Sequence, residues 1–116
     1  MNILIIDGQG GKLGKQLVNS ILKRYPEHNV TVAGTNAVAT SSMLKGTQLR
    51  GATGENAVIV GARKADVIIG PVGIVIADAL LGEISPAMAV AVGQSAAVKI
   101  LLPVNRCDNL VAGITD

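Results

Sequence analysis

Cysteine, histidine and aromatic side chains are almost missing from this chain of 116 residues. It holds one cysteine (Cys107), one histidine (His28) and one tyrosine (Tyr25), with neither tryptophan nor phenylalanine. A lone cysteine excludes an internal disulfide and cannot build a cysteine-rich zinc site. No cluster of His, Cys, Asp or Glu has metal-ligand spacing, so no metal is expected. One tyrosine makes no stacking platform for unpaired bases. The basic residues are scattered and the net charge is only +2, so nucleic acid is not an expected partner. No apolar run reaches the roughly 18 residues of a membrane span. The N-terminus enters an apolar run without the basic flank or cleavage site of a secretory signal. A cytoplasmic location is expected, in keeping with a single unpaired thiol.

What is present is aliphatic. Hydrophobic residues make up 49% and charged ones 16%, and with aromatics missing the core must be Ile, Val, Leu and Ala. That is the make-up of a parallel sheet covered by helices. The length suits one domain, 1–116, since typical domains hold about 100–150 residues. Residues 2–7 (NILIID), 29–34 (NVTVAG), 66–70 (DVIIG) and 99–103 (KILLP) read as strands, and 110–114 as a fifth at the edge. Residues 12–25 have helical period, ending at Pro26, and 35–45 read as a helix stopped by Gly46. Residues 46–54 read as loop; 56–65 is ambiguous, since AVIVGA could be a strand, but Thr53 as a cap and the basic Arg63 and Lys64 near its end favour a helix. The segment 73–81 is an apolar helix or a strand, and Ser85-Pro86 starts a further helix. Alternating strands and helices imply an α/β fold of three layers with right-handed crossovers and strand order 2-1-3-4.

In such sheets ligands bind beyond the carboxyl ends of the strands. After the first strand comes Asp7 and then Gly8, Gln9, Gly10, Gly11, Lys12, Leu13 and Gly14. The second is followed by Thr35 and Asn36, with Thr40 and Ser41 a turn later, the third by Pro71 and Gly73, and the fourth by Asn105, Arg106 and Cys107. Gly8, Gly11 and Gly14 give G-x-x-G-x-x-G between a strand and an amphipathic helix, a turn that lets backbone N–H groups approach a phosphate. Lys12 and Lys15 stand where the helix dipole disfavours cations, a cost that a bound anion offsets. Asp7 either touches a ligand hydroxyl or holds the loop through backbone N–H groups. Glu55 and Asn56 either close over a ligand or serve a helix terminus. A Walker-type loop is excluded, because five residues separate Gly8 from Gly14-Lys15 and Gln16 follows where a hydroxyl is required.

The glycine spacing resembles the cofactor loop of extended and atypical short-chain dehydrogenases, a resemblance that implies NAD(P) or another nucleotide. It departs from them at Gly34-Thr35-Asn36, which offers no acid for a ribose 2′-hydroxyl and no arginine for a 2′-phosphate. It also lacks their Tyr-x-x-x-Lys pair. Along nearly its full length the chain resembles a family of short uncharacterised bacterial Rossmann-like proteins. The matching segments are DGQGG (7–11), GTN (34–36), GATGEN (51–56), IIGPVGI (68–74), LGEIS (81–85) and PVNRC (103–107). This resemblance implies a Rossmann-like fold and no particular reaction.

The leading expectation is a domain binding a nucleotide or phosphorylated metabolite. Its rivals are a structural or regulatory oligomeric subunit, and a small enzyme working through Asp7, Asn105, Arg106 or Cys107. Cys107 has no base at hand, because His28 precedes the second strand and falls at the opposite edge of the sheet. The apolar segments 73–81 and 87–92 lead us to expect a homo-oligomer.

Overall fold

The structure, a computed structural model, describes residues 1–104 and 109–114. Its first strand, β1 (Asn2–Asp7), sends alternate side chains into two separate cores, as strand geometry requires. Ile3 and Ile5 pack with Val18 of α1 (Lys12–Arg24), Val30 and Val32 of β2 (Asn29–Gly34) and Met43 of α2 (Ala37–Leu44). On the other face, Leu4 and Ile6 pack with Val58 and Ala62 of α3 (Glu55–Lys64) and Met88 and Val92 of α4 (Pro86–Gln94). A strand buried on both faces needs a continuous apolar run, which is what NILIID supplies.

The sheet has five parallel strands in the order β3-β2-β1-β4-β5, where β3 is Arg50–Thr53, β4 is Val67–Pro71 and β5 is Val98–Leu102. This corrects the expected order 2-1-3-4. A strand read as loop extends the sheet beyond β2, pairing Thr31 with Arg50 and Gly34 with Thr53. All four residues of β3 are exposed, so backbone hydrogen bonds hold it and its sequence, RGAT, carries no apolar pattern to detect. At the other end, 110–114 is not a strand. The chain turns there, with the Ile114 N–H donating to the Val111 carbonyl at 3.1 Å.

Two of the helices, α2 and α4, start at side-chain caps. Ser85 Oγ accepts the Met88 N–H at 3.2 Å, with Pro86 opening α4 as expected. Asn36 Oδ1 caps α2 by accepting the Ala39 N–H at 2.8 Å. The ambiguous stretch 56–65 is helical, with Glu55 in the first turn of α3 and Arg63 and Lys64 in the last. Its cap is Gly54 at φ +103°, not Thr53, whose hydroxyl instead lies 2.7 Å from that of Thr40.

The segment 73–81 is neither helix nor strand. A 3₁₀ turn (Val72–Val75) leads into a loop in which Asp78, Leu80, Leu81 and Gly82 have φ of +66°, +57°, +57° and +86°. Left-handed backbone at these positions breaks any helix. The apolar content serves the core, where Ile74, Ala79, Leu80 and Ile84 are buried. Among the described residues no helix is long and apolar enough to cross a membrane.

Candidate functional site

The turn after β1 is held from inside by Asp7. Its fully buried carboxylate accepts the Gly8 N–H at 2.8 Å on Oδ1 and the Gly14 N–H at 2.7 Å on Oδ2. Of the two roles open to Asp7 in the sequence, the structure shows the loop-holding one. The turn tightens at Gly11, which caps α1 at φ +73° and donates its N–H to the Gly8 carbonyl at 3.0 Å. Gly14 brings α1 against the strand, since a Cβ there would stand 2.4 Å from Met43 Sδ and 2.8 Å from Asp7 Cβ. The N–H groups of Gly10, Lys12 and Leu13 meet no acceptor among the described residues, as helix geometry leaves them. Lys12 is exposed. Lys15 is not aimed at the turn, because its Nζ donates to the Lys45 carbonyl at the end of α2.

The turn after β2 is joined to the first. Thr35 donates its N–H to the Asp7 carbonyl at 3.1 Å, and Asn36 Nδ2 donates to the Gln9 carbonyl at 2.9 Å. A residue that the sequence did not single out completes this arrangement. Glu83 Oε1 accepts the Gln9 N–H at 2.8 Å, the Thr35 hydroxyl at 2.5 Å and Asn36 Nδ2 at 2.9 Å. Burial raises the Glu83 pKa, but the bonds from Thr35, Gln9 and Asn36 outweigh it and hold the carboxyl below its ordinary value. An acid from the loop that follows β4 thus stands at the end of β2, bound by the two turns. The one signal in the sequence was a glutamate inside LGEIS, a segment otherwise without charge.

Pro71 and Gly73 are buried rather than open to a ligand. A Cβ on Gly73 would come within 3.7 Å of Leu80 Cδ2, and one on Gly8 within 2.9 Å of Leu80 Cδ1. Leu80 therefore covers the point between β1 and β4 where the strand order reverses. Ser41 is exposed on α2 and lines a groove of about 530 Å³ with Gly10, Ala37, Val38, Ser42 and Lys45. Thr40 turns inward, bonding the Asn36 carbonyl at 3.1 Å. Asn105, Arg106 and Cys107 lie outside the described residues. Glu55 Oε2 accepts the Ser85 hydroxyl at 2.5 Å and so joins the starts of α3 and α4, while Asn56 is exposed. His28 sits at the opposite edge of the sheet, 3.2 Å from the N-terminal amine. Among the described residues no group of three His, Cys, Asp or Glu side chains is placed to hold a metal ion.

The family model described as a domain of unknown function (DUF3842) matches residues 2–116, so the chain belongs to that family. No curated protein matches it.

Proposed function

We propose that this DUF3842 member is a ligand-binding α/β domain whose turn at 8–14 receives the phosphate of a nucleotide or phosphorylated metabolite, NAD(P) included. The observation that carries this reading is the set of N–H groups on Gly10, Lys12 and Leu13. They lie at the positive end of α1, and Gly10 among them also lines the open groove along α2 with Ala37, Val38, Ser41, Ser42 and Lys45. The first turn of α1 holds no acid, and an anion there would satisfy the free donors and the exposed Lys12 together. ADP at millimolar concentration should raise the melting temperature, and Lys12→Glu should weaken binding about tenfold through the reversed charge. A calorimetric titration without heat for either ADP or inorganic phosphate would sink the reading. Gly11→Val is not a clean test, because φ is +73° and the new Cβ would stand 2.7 Å from the Ala39 carbonyl oxygen.

An oligomeric subunit is the second reading, and one observation favours it. Val98 and Ile100 on β5 are 64% and 47% exposed. They share the face of their partners Val67 and Ile69, which pack in the α1/α2 core. The segments 73–81 and 87–92, which motivated the expectation, bury Ile74, Leu80, Met88, Ala89 and Val92 within the chain and leave Leu81 and Val90 exposed. A two-fold dimer closing over β5 is the simplest assembly. Sedimentation equilibrium at micromolar concentration should return about twice the 11.8 kDa of one chain; a mass near the single-chain value removes this reading.

A further inference from the structure

We propose that Glu83 is a resident anion, occupying in the free protein the place that an oxyanion of the incoming ligand takes when bound. This rests on the phosphate reading above and adds to it a second oxyanion position next to the turn, one that the chain fills itself when no ligand is bound. Three donors of different kinds converge on one oxygen of Glu83: the Gln9 N–H at 2.8 Å, the Thr35 hydroxyl at 2.5 Å and the Asn36 amide at 2.9 Å. They come from the two turns that follow β1 and β2, at the edge of the sheet where parallel α/β folds hold their ligands. Carboxylate and phosphate oxygens make the same demand on such donors, so what suits one suits the other. Gly8 keeps the space open, since a Cβ there would stand 2.6 Å from Thr35 Oγ1 and 2.8 Å from Glu83 Oε1.

The loop that delivers Glu83 is held by its contacts and not by its own backbone preference. Asp78, Leu80 and Leu81 all have positive φ, a region that L-residues with side chains disfavour. Leu80 is fully buried and anchors the loop, whereas Leu81 is 75% exposed and Glu83 is half-buried. In the exchange that we propose, the half-buried Glu83 side chain swings toward solvent while Leu80 stays in place. The exchange of one anion for another uncovers the three donors without unfolding the loop, and a ligand must outcompete the tethered carboxylate to bind.

The test titrates ADP and inorganic phosphate into the wild-type chain, Glu83→Ala and Glu83→Gln. If the tethered carboxylate fills the site nine-tenths of the time, its removal strengthens apparent affinity about tenfold. Glu83→Ala should show that gain and Glu83→Gln, which keeps the shape without the charge, a smaller one. In both variants and in the wild type, the Gln9 amide resonance should move as ADP saturates. Unchanged affinity in Glu83→Ala, or binding in none of the three proteins, overturns the resident-anion role. Weaker binding also overturns it and makes Glu83 a direct ligand contact. The phosphate reading is judged separately by Lys12→Glu: loss of binding there, with no gain in Glu83→Ala, leaves that reading standing alone.

Discussion

Gly14→Ala should lower the melting temperature by roughly 5–10 °C. Two terms oppose each other. Alanine is the better helix former by about 1 kcal/mol in a helix interior, and by less in the first turn where Gly14 lies. Against this, the new Cβ would stand 2.4 Å from Met43 Sδ and 2.8 Å from Asp7 Cβ. Met43 is fully buried and Asp7 is pinned by two backbone N–H groups, so neither has room to retreat. Overpacking of this kind costs roughly 1–3 kcal/mol, and here α1 must also move off the strand, so the clash wins. Gly10→Ala is the control: nothing lies within 4 Å of its added Cβ, and its melting temperature should stay within about 2 °C of the parent. Thermal melts followed by circular dichroism decide it. Equal melting temperatures for the two variants would show that the close approach of α1 to β1 is not what the third glycine secures.

The parts of this fold that were legible from sequence are those where burial writes a pattern. NILIID and NVTVAG are buried strands and read as such, and the face of α1 that carries Val18 has a clear helical period. Ser85-Pro86 announced its helix through a cap. β3 was illegible because an edge strand exposed at all four residues is held by main-chain bonds, which leave no trace in side-chain type. The segment 73–81 was misread for the opposite reason. Its apolar residues mark burial, but burial under left-handed residues has no period to distinguish it from a helix. At the candidate site, Asp7, Gly8, Gly14, Thr35 and Asn36 are brought together as the strand ends implied. Glu83 was not foreseen, because its bonds to Thr35 and Gln9 span 48 and 74 residues, and no local rule couples positions so far apart.

Asp7→Asn should cost roughly 3–5 kcal/mol, a large share of the 5–15 kcal/mol that holds a typical domain. The Asp7 carboxylate is fully buried and accepts on both oxygens, from Gly8 at 2.8 Å and from Gly14 at 2.7 Å. Asparagine keeps one acceptor and turns an NH₂ group toward the other backbone N–H, so a charge-assisted bond is replaced by two donors facing each other. The loss of such a bond is worth about 1.5–3 kcal/mol, and the stranded buried donor adds about 1–3 kcal/mol. Neither N–H can escape: Gly8 is buried at the strand end, and Gly14 is locked against Met43. Asp7→Ala removes both acceptors and should be at least as damaging, which excludes an explanation by amide orientation alone. Urea denaturation of the parent and both variants measures the cost. A loss under 1 kcal/mol in Asp7→Asn would mean that the carboxylate does not organise the turn, and the free N–H groups of Gly10, Lys12 and Leu13 would then lose the scaffold that aims them at a phosphate.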